Sequence, residues 1–312
     1  MAAITAKMVN DLRAKTGVGM MDCKKALVET DGNFDEAIKI LREKGLGKAD
    51  KKAGRIAAEG VVDIMVKDDV AAIIEVNAET DFVAKNDTFK AFVKGILNVI
   101  VNNKPADVEA LKALPYDETF DTVEAKLKDM IYTIGENMNI RRFAIVEGVF
   151  STYIHGSGMA GVIVKFNACP CLKDNADFAE MAKNVALQIA AGTPPTYVNR
   201  DEVPESVLNE EKEILMAQIK NDEKNANKPD AIIEKMVMGR IGKFYERSCL
   251  VDQAYVKDDS MTVGKYVESC AKAIGQEISV NSFILFERGE GLEKREDNFA
   301  EEIAQLTGQA QG

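Results

Sequence analysis

The spacing of apolar side chains divides the middle of the chain into strands and helices. Residues 59–66 alternate between apolar and polar positions, and residues 71–76 form an almost continuous apolar run; these patterns predict a half-buried strand followed by a buried one. Residues 87–101 carry apolar side chains at helical spacing. The connection 77–85 is therefore predicted to lead from a strand into a helix, a place where chains often display functional groups on a rigid frame.

The same order of elements occurs a second time. Residues 147–154, 162–167 and 176–182 repeat the alternating run, the apolar run and the helical run. Two copies are too few for a solenoid, so the pattern predicts a duplicated α+β core of two units, each a β-hairpin followed by a helix. The copies differ in the connecting loop, which reads Ala-Glu-Thr-Asp-Phe-Val at 78–83 and Ala-Cys-Pro-Cys-Leu-Lys at 168–173.

Three short amphipathic helices are predicted before this core. Thr5 and Asn33 have the side chains of helix N-caps, and Gly45 is predicted to end the third helix. A segment of about 45 residues buries little apolar surface, so it is expected to be marginally stable alone, as docking modules often are. The stretch from Gly45 to Gly60 is rich in Gly, Lys and Ala and is predicted to be a linker.

Two longer helices are predicted at 205–222 and 230–245, on either side of the polar turn 225–229. Their apolar positions predict an antiparallel helical hairpin. These positions are Leu208, Leu215 and Ile219 on the first helix and Ile232, Ile233, Met236 and Val237 on the second. A helix at 263–273 and a strand at 280–287 are predicted to follow.

The end of the chain is predicted to be an amphipathic helix, because Phe299, Ile303 and Leu306 fall on one helical face. Such a helix docks either on its own core or on another chain.

The expected domain boundaries are 1–46 for the three-helix domain, 47–58 for the linker, 59–143 for the first core subdomain, 144–198 with 246–289 for the second, 199–245 for the inserted hairpin and 290–312 for the C-terminal module.

Composition and charge narrow the classes of function. The chain has 312 residues, of which 46% are hydrophobic and 29% charged, as in ordinary globular proteins. A net charge of −11 disfavours nucleic acid as the main ligand, and the basic run 44–55 is expected to be a solvated linker rather than a contact to RNA. No apolar run approaches the roughly 18 residues of a membrane span, and the N-terminus lacks the pattern of a signal peptide. A cytoplasmic protein without membrane contact is therefore expected.

No catalytic motif is present in the sequence. The single histidine, His155, lies in a predicted turn and has no motif of a hydrolase triad around it. Phosphate-binding glycine motifs are absent.

The five cysteines are odd in number and widely spread, so no disulfide framework is expected. The closest pair, Cys169 and Cys171, has poor zinc spacing and is expected to be two small apolar residues at a strand end. No catalytic residue, metal or cofactor is predicted, so we expect a protein that acts on another macromolecule rather than an enzyme.

The loop at 80–83 combines a carboxylate, Asp81, with an adjacent aromatic ring, Phe82. An aromatic residue at a turn either packs under its own loop or is offered to a partner. Single exposed apolar residues are common and usually carry no function, which favours packing. The repeat favours display, because the second copy completes the same scaffold without this motif.

Several blocks of sequence resemble the bacterial elongation factor Ts family, the guanine nucleotide exchange factors of elongation factor Tu. Their order and spacing make the resemblance specific, and it covers essentially the whole chain. The blocks are Leu12–Leu27, Thr80–Asn86, Ile134–Arg142 and Tyr153–Gly156, with support from Glu234–Arg240 and Thr262–Gly264.

The resemblance implies a partner and a set of contact residues. The partner is elongation factor Tu, in its GDP-bound and nucleotide-free forms, and the N-terminal segment is implied to be a UBA-like domain that docks on this GTPase. The residues implied to insert beside the nucleotide and disturb Mg²⁺ coordination are Thr80, Asp81, Phe82 and Val83. Those implied in further GTPase contacts are Leu12, Met20, Met21, Lys24, Ile134, Gly135 and His155. The helical hairpin is implied to reach other parts of the GTPase or a second copy, which leaves a homodimer or a two-to-two complex open.

The chain departs from the family pattern at three places. Ala78 stands where members often carry Cys, the turn after His155 lacks the basic residue common there, and the sequence from Cys169 to Cys171 is not a family motif. Nucleotide exchange is the leading hypothesis. The alternative is a translation-associated binding or chaperone-like protein without exchange activity.

Overall fold

The computed structural model describes residues 4–222 and 228–293 and has an α+β fold with small sheets. Within this part of the chain, contacts define two compact units. The first comprises the described residues of 1–63, 74–143 and 287–312, and the second comprises 64–73 and the described residues of 144–286.

Groups of helices and groups of strands follow each other along the described chain. The first half contains α1 (Ala6–Thr16), α2 (Met20–Glu29), α3 (Phe34–Asp50), β1 (Glu59–Lys67), β2 (Val70–Ala78), α4 (Asp81–Lys85), α5 (Asp87–Asn103), α6 (Val108–Ala113), α7 (Val123–Ile134) and β3 (Met138–Glu147). The second half contains β4 (Phe150–His155), β5 (Ala160–Asn167), α8 (Ala176–Ala191), α9 (Glu205–Asn221), α10 (Asp230–Ser248), β6 (Ala254–Tyr255), β7 (Asp258–Thr262), α11 (Val263–Ile274) and β8 (Ser279–Glu287). The strands form sheets with the orders β1-β2-β3, β4-β5-β8 and β6-β7.

The two strands and the helix predicted around the first connecting loop are confirmed as β1, β2 and α5. The order of two strands followed by a helix occurs again in β4, β5 and α8. The short helices α4 and α6 escaped prediction, because helices of five and six residues are too short to show a periodic pattern.

Both N-caps predicted in the three-helix domain at 1–46, called the N-terminal module below, are confirmed. The Thr5 hydroxyl accepts a hydrogen bond from the N–H of Met8 at the start of α1. The Asn33 side chain accepts from the N–H groups of Asp35 and Glu36 at the start of α3. These bonds satisfy donors that a helix start would otherwise leave unpaired.

The predicted end of α3 at Gly45 is wrong, because the helix continues to Asp50. A Cβ atom at residue 45 would lie only 3.0 Å from a ring carbon of Tyr132 on α7. Gly45 thus permits close packing of two helices instead of ending one. Tyr132 also belongs to the same apolar cluster as Leu12 and Leu41 of the module, so α1 to α3 share their core with α7.

The second unit is built on an antiparallel pair, in which Phe150 of β4 lies opposite Lys165 of β5. Alternate β5 side chains, including Val162 and Phe166, are buried against α8. The rings of Phe166 and Phe178 meet edge to face with centroids 5.5 Å apart, a favourable geometry for aromatic pairs.

The two helices predicted from the apolar pattern near residues 205 and 230 are confirmed as α9 and α10, which pack on each other. Their shared core contains most of the predicted positions: Leu208, Leu215, Ile219, Ile233, Met236 and Val237. Ile232 is the exception, because it is 45% exposed. Part of the predicted turn at 225–229 lies outside the described residues, as do Phe299, Ile303 and Leu306 of the predicted C-terminal helix.

The expectation about Cys169 and Cys171 is corrected by the structure. The two residues form a disulfide bond with their Cα atoms 5.1 Å apart, within the range that a disulfide spans. Cys23, Cys249 and Cys270 are free thiols. None of the helices in the described ranges combines the length and apolar character needed to cross a membrane.

Candidate partner-binding site

The loop formed by residues 80–83 projects an aromatic side chain from a rigid base. Strand β2 ends at Ala78, and Thr80 caps the one-turn helix α4 with its hydroxyl 3.4 Å from the N–H of Val83. Val83 is buried, whereas Phe82 is 80% exposed. The hypothesis that Phe82 packs under its own loop is therefore wrong. Val83 anchors the helical turn, and the neighbouring ring faces solvent.

Strand β2 carries a row of polar side chains toward this loop. Glu75 and Asn77 of β2 are two positions apart, the spacing that places side chains on one face of a strand, and Glu79 follows at the same spacing just after the strand ends. Glu75 and Asn77 are almost completely buried. The Asn77 amide donates to the Glu75 carboxylate at 3.1 Å and to the carbonyl of Glu59 at 3.1 Å. The donor side of the Asn77 amide is thus satisfied within β2 and by the neighbouring strand, whereas its buried carbonyl oxygen accepts no hydrogen bond.

Glu75 is the centre of a buried ion-pair network. Arg141 approaches one carboxylate oxygen at 3.0 Å, and Arg142 approaches the other at 2.7 Å. The N–H of Gly289 donates to the same carboxylate at 2.8 Å. Burial alone would raise the pKa of Glu75, but the hydrogen bonds from Gly289, Asn77 and the two arginines outweigh it and hold the pKa below its ordinary value. Glu75 is therefore ionised inside the first unit and joins β2, β3 and the segment that begins at Glu287.

Two carboxylates link the loop 80–83 to the connection between α7 and β3. The Glu136 carboxylate accepts hydrogen bonds from the Thr80 N–H at 3.0 Å and from the Thr80 hydroxyl at 2.8 Å. In the opposite direction, the Glu79 carboxylate accepts from the Asn137 N–H at 2.5 Å. Arg55 lies 3.4 Å from the same Glu79 oxygen. The base of the loop is thus attached to a second element at both residues.

Asp81 pairs with a neighbour on its own helix. Its carboxylate lies 2.6 Å from the Lys85 ammonium group, one helical turn away. The hydrogen bond from Lys85 is the largest cause that lowers the pKa of Asp81, so the side chain is an anion at neutral pH. The loop therefore presents a carboxylate and an exposed aromatic ring next to each other.

The residues predicted on α2 divide between surface and core. Met20 and Met21 are 47% and 63% exposed, and Lys24 is also exposed. Val28, one turn after Lys24, extends this face and was not predicted. The expectation for Leu12 is corrected, because it is fully buried in the core of the module and presents no surface to a partner in this structure.

Ile134 and Gly135 lie at the end of α7, next to Glu136. Ile134 is half-buried, and Gly135 is exposed and closes the helix in a left-handed conformation with φ of 91°. The Lys52 ammonium group donates to the carbonyl of Gly135 at 2.5 Å. Glu136 thus brings these two predicted contact residues to the base of the loop 80–83.

His155 belongs to the second unit. It ends β4, is exposed, and its Nδ1 atom lies 3.3 Å from the Tyr153 hydroxyl. Its carbonyl accepts from the N–H groups of Gly158 and Met159, which closes the turn. Met159 is 53% exposed beside it and was not predicted.

The carboxylates that support the loop were not predicted from the sequence. Glu75 and Asn77 interrupt an otherwise apolar strand, and Glu79 follows at the same spacing of two; this regular spacing was the available signal. The pairing of Glu136 with Thr80 had no local signal, because 56 positions separate them. In the part of the chain that the structure describes, no cluster of three His, Cys, Asp or Glu residues could hold a metal ion.

Comparison with known proteins identifies similar chains. The family model described as Elongation factor TS matches residues 79–290. Elongation factor Ts of Syntrophotalea carbinolica is 48% identical over 307 residues, which cover 97% of this chain and 99% of that protein. Elongation factors Ts of Clostridium botulinum and Clostridium kluyveri are each 46% identical, and the matches cover 96% of this chain and 97% of each relative.

Proposed function

The chain belongs to the elongation factor Ts family, and from this premise we propose that it is a guanine nucleotide exchange factor for elongation factor Tu. The family places it in translation elongation. The observation that carries the finer proposal is the exposed ring of Phe82, displayed beside the Asp81 carboxylate on a loop that is anchored at its base.

The proposed mechanism is insertion of the loop 80–83 next to the nucleotide and Mg²⁺ held by the GTPase. Mg²⁺ is often the largest local charge in such a site. Displacing one of the groups that coordinate Mg²⁺ therefore weakens the binding of the diphosphate. Full burial of a phenylalanine side chain contributes about 1.5–3 kcal/mol. Each ~1.4 kcal/mol used to raise the free energy of bound GDP relative to the exit barrier accelerates its release about tenfold.

One ring therefore accounts for one or two decades of acceleration, and further contact areas supply the remainder. We propose that Met20, Met21 and Lys24 of the N-terminal module dock on the GTPase. Ile134 and Gly135 provide contacts around the inserted loop, and His155 of the second unit provides a further contact to the GTPase. Leu12 supports the docking face from inside the module. Binding linkage is reciprocal. Because the factor weakens the binding of nucleotide to the GTPase, nucleotide weakens the binding of the factor and displaces it.

The proposal extends to the organisation of the whole chain. The N-terminal module is proposed to be a UBA-like domain, the core to be a duplication, and the hairpin of α9 and α10 to contact the GTPase or a second copy of this chain. Support comes from the element order and from the exposed apolar residues Ile214, Ile232 and Met238 on that hairpin. The protein is proposed to act in the cytoplasm without a nucleic-acid ligand, in keeping with its net charge of −11.

The decisive experiment is stopped-flow release of a fluorescent GDP analogue from elongation factor Tu. We expect the wild-type chain to accelerate release and Phe82→Ala to lose about ten- to a hundredfold of that acceleration. Val256→Ala is the control, because Val256 is a 50% exposed apolar residue in the β6–β7 turn, outside every predicted contact. A stable complex without any effect of the wild-type chain on release would instead favour the translation-associated binding protein.

A further inference from the structure

We propose that Glu79 and Glu136 are positioning residues that hold the loop 80–83 and the end of α7 together as one rigid contact surface. We call the four residues Glu79, Thr80, Glu136 and Asn137 the reciprocal clamp. This inference rests on the proposed exchange function, because the surface that the clamp organises is the one proposed to meet the GTPase.

The clamp is built from two pairs of consecutive residues that exchange hydrogen bonds. Glu136 accepts from the backbone N–H of Thr80, the residue after Glu79. Glu79 accepts from the backbone N–H of Asn137, the residue after Glu136. Each connection thus supplies one carboxylate and one N–H, and the Thr80 hydroxyl adds a third bond at 2.8 Å. Hydrogen bonds to an ionised carboxylate are stronger than those between neutral groups.

The clamp is partly shielded from water, because three of its residues are half-buried and Asn137 is buried. The Glu79 side chain is 15% exposed, and Asn137 is 6% exposed. The Asn137 side chain also donates to the carbonyl of Arg55 at 2.8 Å, which fixes the residue on its other side. Because the local dielectric is lower than in water, these bonds resist opening more strongly than surface ion pairs do.

Phe82 needs support of this kind. Its ring is 80% exposed, so few contacts of its own hold it in one direction in the free protein. A loop that is ordered before binding loses less conformational entropy when it inserts. The clamp orders the backbone at Thr80 and Asp81, immediately before the ring. It also connects this backbone to Ile134 and Gly135, so that two proposed contact areas meet the GTPase together.

The second connecting loop of the same chain provides an internal contrast. In the sequence alignment of the two copies, Cys169 and Pro170 take the places of Glu79 and Thr80. Proline has no backbone N–H to donate, and cysteine has no carboxylate, so neither half of the clamp can form there. The clamp is present in the loop that displays an aromatic ring and excluded in the loop that does not.

The first test replaces Glu136 and measures two independent quantities. Glu136→Ala is expected to lower the maximal stimulated release of fluorescent GDP about tenfold and to accelerate hydrogen exchange at the Thr80 amide by a similar factor. Glu136→Gln retains one acceptor and is expected to recover part of both losses. Glu109→Ala is the matched control, because Glu109 is an 81% exposed carboxylate paired only locally with Lys112. Thermal unfolding identifies any variant that fails to fold. In that case Thr80→Val replaces it, because this change removes the hydroxyl bonds to Glu136 and to the Val83 N–H but keeps the backbone bonds of the clamp.

A double-mutant cycle separates positioning from a merely structural role. If the clamp acts through the ring, Glu136→Ala is expected to cost less than about twofold in the Phe82→Ala background. Fully multiplicative losses would overturn the proposal, as would an unchanged Thr80 exchange rate in Glu136→Ala. Failure of the wild-type chain to accelerate release would overturn the exchange function and the positioning role with it. The exchange rates at Thr80 and Asn137 would still report whether the clamp itself exists.

Discussion

The two strand-to-helix loops of this chain place equivalent side chains in opposite environments. In the alignment of the two copies, Phe82 corresponds to Leu172, yet Phe82 is 80% exposed and Leu172 is 4% exposed. Leu172 belongs to the apolar core of the second unit, and the Cys169–Cys171 disulfide closes the loop before it. In the first loop, buried Val83 anchors the turn, and the ring beside it is left free for a partner.

Display of an apolar side chain to solvent thus requires other residues to hold the loop. The second loop is held by burial of its own apolar residue. The first loop cannot use Phe82 for that purpose, so polar bonds at Thr80 and the apolar anchor Val83 hold it instead. The predictions below test this contrast, beginning with the largest expected effect on stability.

Truncation of the two corresponding residues should separate the loops most clearly. Leu172→Ala is expected to lower the free energy of unfolding by about 2–4 kcal/mol, because it removes buried methyl groups and leaves a cavity. Phe82→Ala is expected to change it by less than about 0.5 kcal/mol, because the exposed ring contributes little to the core. Urea unfolding followed by circular dichroism measures both values. Equal losses in the two variants would contradict the proposed division between anchoring and display.

The strands that lead into the two loops should also differ in how much a charged side chain contributes to stability. Glu75 of β2 corresponds to half-buried Lys165 of β5. Glu75→Gln is expected to cost about 2–3 kcal/mol, because Arg141 and Arg142 lose their buried counter-charge while remaining partly solvated. Lys165→Gln is expected to cost less than about 0.5 kcal/mol. The comparison fails if both substitutions prove neutral in denaturant titrations.

The ionisation of Glu75 makes the stability of the folded chain depend on pH. Its pKa in the folded chain lies below the ordinary value of 4.5, so its contribution to stability is complete above that pH and is lost as pH falls through the lower folded pKa. Wild-type protein is therefore expected to lose more stability below pH 4.5 than Glu75→Gln does. Denaturant midpoints measured at intervals from neutral to acid pH reveal this difference, and parallel curves for the two proteins would exclude it.

The cap residue of the first loop, Thr80, should make a smaller contribution to the free energy of unfolding. Thr80→Ala removes the hydroxyl that caps α4 and bonds to Glu136, so a loss of about 1 kcal/mol is expected. Thr80→Ser keeps the hydroxyl and is expected to stay within about 0.5 kcal/mol of wild type. Chemical unfolding of both variants provides the measurement. A serine variant as unstable as the alanine variant would show that the methyl group, not the hydroxyl, is what matters.

The smallest effect is expected for the charge at the loop tip. Lys85→Met removes the main cause that lowers the pKa of Asp81, so this pKa should rise toward its ordinary value while the unfolding midpoint stays unchanged. Carboxyl carbon chemical shifts followed through an acid titration report the pKa directly. An unaltered titration of Asp81 would mean that other charges set it.

Much of the fold could be predicted because local patterns determine it. The strands around the first loop, α5, the N-caps Thr5 and Asn33, and the pairing of α9 with α10 follow from periodic apolar positions and capping side chains. Local patterns failed where packing between distant elements decides the outcome. Gly45 has the character of a helix terminator in sequence, but it lies within α3 because Tyr132 packs closely against it.

The candidate site shows the same division. The family resemblance, the motif at residues 80–83 and the adjacency of Asp81 and Phe82 were all readable from the sequence. The exposure of Phe82, the burial of Leu12 and the support of the loop by Glu79 and Glu136 became visible only in the folded chain. Exposure and long-range hydrogen bonds depend on which elements cover a residue. Glu136 bonds Thr80 across 56 positions of sequence, and folding alone brings these residues together.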